Sequence, residues 1–407
     1  MKRAAICLFS LLFLASCGQT RPVEQANFPS PSPAPAVTPS PSPAPESTPP
    51  EPLITQAELE QAVARAGTDW GAMGIQAAAI QGGELIAQAA WGWAVDGQAP
   101  MTAEHKMRCA SLTKIATALS AGVLMEQGII TPQSDLSDCW GVTVRNPTYP
   151  DHSITVDMLL THTSSLTDAS GSLAALKGSA ARQRLAGDGF QEVEPGALGS
   201  WCYNNYGFAV LGMTLELAAG RMLDAVLGEA VLTPLGIDAA FEAGSATHTG
   251  LLCPLYQDGA VTRSVPEQEG YVRIDQPGYR GNFYAGGFTC SAGDMARLTA
   301  LLAADGKYQQ EQLLAPETVA YLEQPLGQTP DGFLQCRPLR CRENMYGRVR
   351  MYYHTGSAYG FYGLMSYDPD TGDGVVVFTN GARGDIDSWG VYQVCSQIAW
   401  AVYGQAE

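Results

Sequence analysis

The sequence is poor in charge, and poorest in positive charge. Charged residues make up 15% of its 407 positions, where an ordinary globular domain carries about 25%. Only five residues are lysine and five are histidine. Acidic residues outnumber Lys plus Arg by 40 to 23, for a net charge of -17. Such a surface repels phosphate backbones and anionic headgroups, so nucleic acid is excluded as a partner. The acidity reads as a device for solubility, not as recognition of a particular substrate. Apolar runs are short, and none is long enough to span a bilayer. There is no CxxC pair and no His/Cys cluster at zinc spacing, so no metal and no cofactor is expected. The G-x-S-x-G elbow of α/β-hydrolases is absent, and so is any internal repeat. Against these absences stands a hydrophobic content of 46%, enough for a large core.

The N-terminus is the most readable segment. Lys2-Arg3 precedes the apolar run Ile6 to Leu14, which is too short for a stable span. Leu14-Ala15-Ser16-Cys17-Gly18 follows, and it resembles the bacterial lipobox. The resemblance implies a leader over 1–17 and a lipid on Cys17. An ordinary signal peptide or a short anchor helix is the plainer alternative. Losing Lys2 and Arg3 with a leader takes the charge from -17 to -19. Several acyl chains on one cysteine hold a protein firmly where a single chain does not. The expected location is therefore the outer side of a cell membrane, with membrane contact through the lipid alone.

Residues 18–52 form a proline-rich spacer. Twelve of the 26 prolines fall between 22 and 52, among Ser, Ala and Thr. Such a segment builds no core and runs extended, reaching about 90 Å at ~3.1 Å per residue. It would hold a body formed by 53–407 away from the membrane, within cell-wall depth, or serve as a simple tether. Eight cysteines remain beyond Cys17: Cys109, Cys139, Cys202, Cys253, Cys290, Cys336, Cys341 and Cys395. An even number outside the cytoplasm permits disulfides, and Cys336 with Cys341 is the pair cheapest to close. Free buried thiols fit the sequence equally well.

The body has strand character at both ends and helices between. Thr55 followed by Glu58 predicts a capping box opening a helix to Ala66. Gly74–Ile80 and Leu85–Trp93 read as a hairpin turned at Gly82-Gly83. Helical patterning covers Leu112–Gln127, Val156–Leu160, Gly207–Ala219, Met222–Leu232 and Ala292–Asp305. Late β-rich runs are Arg348–His354, Tyr359–Tyr367 and Gly374–Asn380, and Ile386–Tyr403 reads as a closing amphipathic helix. The expected fold is α+β: one antiparallel sheet assembled from both chain ends, flanked by helices, with an inserted mainly helical lobe. A cleft between sheet and lobe is where a site belongs.

Three motifs carry chemistry. Ser111-Leu112-Thr113-Lys114 places a hydroxyl and an amine on one helical face, near a helix start whose free N–H groups favour negative charge. A neighbouring amine freed of water can take a serine proton. Tyr203-Asn204-Asn205 is the second motif, and His354-Thr355-Gly356-Ser357, at the end of a β-rich run, is the third. Each has a plain structural reading: a cap, a packed aromatic, a strand end. The order S-x-x-K, Y-x-N, H-T-G resembles the penicillin-recognising serine hydrolases. That group contains class C β-lactamases, D-alanyl-D-alanine carboxypeptidases and related esterases. Leu159-Leu160-Thr161-His162-Thr163-Ser164-Ser165-Leu166 is similar to a further stretch of that family, with Ser165 where glycine is usual. The likeness runs from about Leu53 to Tyr403.

The resemblance implies a β-lactamase/transpeptidase-like fold and an acyl-enzyme mechanism. Ser111 would be the nucleophile, with Lys114 and Tyr203 handling its proton. Asn205 would hold a substrate amide, and the backbone N–H groups of Ser111 and Ser357 would form an oxyanion hole. His354, Thr355 and Gly356 would line the place for a substrate carboxylate, and His354 could add a donor or a charge there. His162 would be structural. H-T-G in place of K-T-G points to a D-Ala-D-Ala carboxypeptidase acting on peptidoglycan stem peptides more than to a β-lactamase. An esterase, a D-amino-acid amidase, or a penicillin-binding surface protein without turnover are the alternatives.

Overall fold

A computed structural model describes residues 51–404, apart from 169–176, 188, 247, 271–273 and 282. The leader, Cys17 and nearly all of the spacer lie outside the described residues. The chain enters at α1 (Gln56–Trp70), opened by the expected box: Thr55 Oγ1 accepts from the N–H of Glu58, whose carboxylate accepts from the N–H of Thr55. It is closed by Gly71 in the left-handed conformation, φ 59°. The hairpin follows as β1 (Gly74–Gln81) and β2 (Glu84–Val95), turned at Gly82-Gly83, with a short β3 (Ala99–Pro100).

The helical lobe comes next. It comprises α2 (Thr113–Glu126), α3 (Leu136–Trp140), α4 (Val156–Leu160), α5 (Gly178–Leu185), α6 (Asn205–Ala219), α7 (Leu223–Leu227) and α8 (Val265–Glu269). The pattern expected to be helical over Met222–Leu232 is α7 continued by one π turn, Gly228–Leu232. The chain returns through α9 (Ala292–Ala303) and α10 (Pro316–Glu323). Six more strands follow: β4 (Gly327–Gln328), β5 (Leu334–Gln335), β6 (Arg340–Met345), β7 (Arg348–Ala358), β8 (Phe361–Tyr367) and β9 (Gly374–Asn380).

These nine strands form one antiparallel sheet in the order β4-β5-β6-β7-β8-β9-β1-β2-β3. The two chain ends meet in its middle, where β1 pairs with β9 from Gly74 opposite Asn380 to Ile80 opposite Gly374. One face carries Ile75, Ala77, Tyr353, Leu364 and Val375, packed under α1 and the last helix, α11 (Gln393–Tyr403). The other carries Ile80, Phe361, Met365, Val376 and Phe378, packed under α9 and continuous with the lobe around α2 and α6. Central strands buried on both faces explain the apolar run Gly374–Phe378 and the burial of every residue of Gly374–Asn380.

One expectation needs correcting. Helix does not begin at Ile386 but at Gln393. The carboxylate of Asp387 accepts from the backbone N–H groups of Trp389 and Val391, at 2.8 and 2.9 Å, and folds 387–391 into a turn instead. Aspartate satisfies local backbone donors outside a helix better than inside one. All eight cysteines of the body are free thiols, Cys336 and Cys341 included.

Candidate active site

Ser111 lies in a single 3₁₀ turn, Ala110–Leu112, immediately before α2 and not inside it. Ala110 holds φ at 48°, a left-handed geometry costly for a residue with a Cβ. The surroundings hold it there. Cys109 N–H donates to Phe288 O at 2.8 Å, and the turn packs against β7 at Gly356. A Cβ at Gly356 would stand 2.7 Å from Cys109 O and 3.3 Å from Leu112 Cγ, so only glycine lets the strand come this close.

Lys114 is one turn on, fully buried. Its Nζ donates to Ser111 Oγ at 3.2 Å, Asn205 Oδ1 at 2.9 Å and Ala285 O at 3.0 Å. All three donors of an ammonium are thus used. The segment supplying Ala285 is strapped to α2 by Thr117 Oγ1 donating to Tyr284 O and by Phe288 N–H donating to Thr113 Oγ1. Tyr203 comes from the loop before α6, and its hydroxyl donates to Ser111 Oγ at 2.8 Å. His162, buried and with φ 60°, sets that loop. Its ring packs 4.6 Å from the Tyr203 ring, and its carbonyl accepts from Cys202 N–H. Ser165, where glycine is usual, also has positive φ, 59°, which is why glycine suits that position. Burial pushes the Tyr203 phenol up, but the charge of Lys114, hydrogen bonds from Lys114 and to Ser111, and the charge of Arg340 together bring it below its ordinary value.

Asn205 opens α6. The helix cap is its neighbour Asn204, whose Oδ1 accepts from Gly207 N–H. Asp168 secures the start from outside, accepting from the N–H groups of Asn205 and Tyr206 and from Asn205 Nδ2. Asn205 Oδ1 therefore faces Lys114, and the residue remains exposed to solvent.

The structure brings His354, Thr355, Gly356 and Ser357 to the same place, along the end of β7 that β6 no longer covers. Thr355 is half-buried and Ser357 exposed. His354 departs from expectation. It is completely buried, and burial first, then the charges of Arg340 and Lys114, hold its pKa well below the ordinary value. Its Nδ1 lies 2.8 Å from Thr355 O, an acceptor, so Nδ1 carries the proton and Nε2 is a bare lone pair. The ring offers a substrate carboxylate neither a charge nor a donor.

The cation at this end of the site is Arg340, which the sequence motifs do not contain. It sits on β6, its guanidinium 5.6 Å from the Tyr203 ring centre and 4.7 Å from that of Phe333. It has no acidic partner and no hydrogen-bond acceptor among the described residues. A signal for it was present: five arginines crowd 337–350 of an otherwise acidic chain. Asp168 had no comparable signal, because its role depends on a contact 37 residues away in sequence.

A sheet flanked by helices, a helical lobe, and a hydroxyl, amine and phenol converging where they meet define the serine hydrolase fold shared by penicillin-binding proteins, esterases and D-amino-acid amidases. The chain belongs to the beta-lactamase family, whose pattern matches residues 59–388. It is 28% identical over 171 residues to a penicillin-binding protein of Bacillus subtilis (strain 168), a stretch covering 39% of this chain and 36% of the relative. The match thus spans about a third of that relative's length. The fold is similar to that of an octameric penicillin-binding protein homologue from Pyrococcus abyssi, with TM-score 0.67 and 20% identity over 86% of this chain and 77% of that one. It is similar to EstCE1, a hydrolase with promiscuous acyltransferase activity, with TM-score 0.67 and 24% identity over 86% and 98%. A D-amino acid amidase from Ochrobactrum anthropi SV3 aligns with TM-score 0.65 and 20% identity over 85% and 97%.

Proposed function

We propose that the protein is a serine D,D-carboxypeptidase acting on peptides that end in a free carboxylate, such as the D-Ala-D-Ala termini of peptidoglycan stem peptides. The observation that carries this reading is Arg340, a guanidinium beside Tyr203 at the edge of the site with no acidic partner among the described residues. A site for neutral esters has no use for an unpaired cation there. A carboxylate one residue beyond the scissile bond does, and Arg suits it because its planar fork can hold both oxygens.

The contacts support the following course for the proposed reaction. Ser111 Oγ attacks the peptide carbonyl carbon as its proton passes to the Tyr203 oxygen, 2.8 Å away. Lys114 favours the phenolate that accepts it. Collapse of the tetrahedral intermediate breaks the C–N bond, and Tyr203 returns its proton to the leaving amine. The acyl group stays as an ester on Ser111. Water then attacks that ester, gives a proton to Tyr203, and Ser111 leaves with it. The backbone N–H groups of Ser111 and Ser357 are the proposed oxyanion donors, worth about 3 kcal/mol each in such sites. Asn205 is placed to accept or donate to the substrate amide beside it.

The test is kcat/KM for a D-Ala-D-Ala peptide and for a neutral ester of the same acyl group. The carboxypeptidase reading expects turnover of the peptide and a preference for it. Free turnover of the ester with none of the peptide would leave only an esterase, and labelling without any turnover would leave a penicillin-binding surface protein.

A further inference from the structure

Five of the chain's seven tryptophans stand away from Ser111, along two adjoining hollows. The first, about 860 Å³, runs between α1 and α11 and is lined by Trp70, Trp389 and Trp400. The second, about 300 Å³, continues from the Gly71 cap of α1 and holds Trp91 and Trp93. Trp93 is 42% exposed. All five therefore present ring surface to solvent on the outer layer of a soluble body, at a cost in exposed apolar area.

The first hollow is a built feature. Its wall is the turn that replaces the expected helix at Ile386. Asp387 accepts from Trp389 N–H, Val391 N–H and, at 2.7 Å, Ser396 Oγ. That fixes Trp389 against Trp400, 5.9 Å centre to centre and tilted 38°, with Tyr346 behind both at 5.0 and 5.4 Å. Rings side by side over a buried tyrosine make a platform, not a cage that closes around a cation. Trp70 is fixed in turn by donating to Gln397 Oε1 at 2.7 Å. Around the platform, Gln61, Arg65 and Ser388 have no side-chain hydrogen bond among the described residues.

We propose that this track binds an uncharged polysaccharide strand of pyranose sugars. The apolar face of a pyranose ring matches a half-exposed indole, and its rim hydroxyls match side chains that both donate and accept. Charge selects against the competitors. A chain of net charge -17 repels nucleic acid and acidic polymers. Both acids lining the hollow are already engaged inside the fold: Glu58 accepts from Thr55, and Asp387 from Trp389, Val391 and Ser396. Open, adjoining hollows suit a polymer, where small molecules are taken by enclosing cavities. The second hollow ends at Tyr256, whose strand pair is tied to the β7–β8 turn by Thr262 Oγ1 donating to Tyr359 O at 2.7 Å. That turn, Tyr359-Gly360, begins two residues beyond Ser357, so a bound strand runs toward the mouth of the site. Only this last consequence rests on the hydrolase reading.

The test titrates the full chain with hexamers of β-1,4-linked N-acetylglucosamine and of β-1,4-linked glucose, and with an oligogalacturonate as the anionic counterpart, by calorimetry. Binding of an uncharged hexamer is expected, weakened at least tenfold in Trp389→Ala, with penicillin acylation of Ser111 unchanged. Trp389 supports Tyr346, so a second variant, Ala401→Trp, fills the groove from an exposed position without touching the core and should weaken binding equally. The proposal is overturned if neither uncharged hexamer binds, if the acidic oligomer binds better, or if Ala401→Trp binds as well as wild type.

Discussion

Arg340 and His354 exchange the roles that their positions in the sequence suggest. His354 stands in the motif but is buried, uncharged and hydrogen-bonded to its own chain. Arg340 stands in no motif but carries the accessible charge. Removing a charged partner of a carboxylate costs about 2 kcal/mol, or about 30-fold in an equilibrium or rate ratio. Arg340→Ala should therefore lower kcat/KM for a D-Ala-D-Ala peptide about 30-fold and change that for a neutral ester by less than about threefold. His354→Gln should lower both alike, because it acts through the backbone of β7. Equal losses for peptide and ester in Arg340→Ala would remove the carboxylate role. At the nucleophile, Lys114→Ala should slow acylation by at least about 100-fold, since it strips Tyr203 of the charge that favours its phenolate. Rapid penicillin labelling of that variant would contradict the assignment.

At the scale of elements, the contact between the Ser111 turn and β7 sets the geometry. Gly356→Ala should push the two apart, at a cost of about 1–3 kcal/mol in stability and a larger loss of acylation rate. Chemical denaturation and penicillin labelling of the same variant separate the two effects, and normal labelling would show that close approach is dispensable. The elements themselves were largely legible. The capping box at Thr55 and Glu58, the hairpin at Gly82-Gly83 and the three late strands follow from local chemistry that the fold leaves undisturbed. Two features were hidden, one by distant contacts and one by a local side-chain competition. Ala110 holds a left-handed turn only because Phe288 and Gly356 confine it. Residues 386–392 have a helical pattern, but the carboxylate of Asp387 outbids the helix locally by serving Trp389, Val391 and Ser396 at once. The three motifs could be read in order from the sequence. Arg340 showed only as one of five arginines crowded into 337–350, with nothing to single it out, and Asp168 showed not at all, because its hydrogen bonds to Asn205 and Tyr206 span a loop of no fixed spacing.

At the scale of the molecule, Glu216 ties the lobe together. Buried on α6, it accepts from Tyr284 Oη, Gly278 N–H and Leu223 N–H. Burial pushes its carboxyl up to about 7, against the pull of those three hydrogen bonds. Its folded-state pKa thus lies above the unfolded value. The stability it contributes is full below about pH 4.5 and is lost as pH rises through about 7. Wild type should lose up to about 3 kcal/mol relative to Glu216→Gln between pH 4.5 and 8, measured by denaturant unfolding. A constant difference between the two would show that the carboxyl does not titrate in that range. The proposed anchor belongs to the same scale. Cys17→Ala should shift the protein from the detergent phase to the aqueous phase in a partition assay, and unchanged partition would remove the lipid. No helix among the described residues is long and apolar enough to cross a membrane.

The central claim is that Ser111 forms the acyl-enzyme. Intact-mass spectrometry after incubation with penicillin tests it most directly, followed by peptide mapping of the product and of Ser111→Ala. The account predicts one penicilloyl group per chain, on the peptide containing Ser111, and none on Ser111→Ala. An adduct on any other residue, or one that persists in Ser111→Ala, would contradict it.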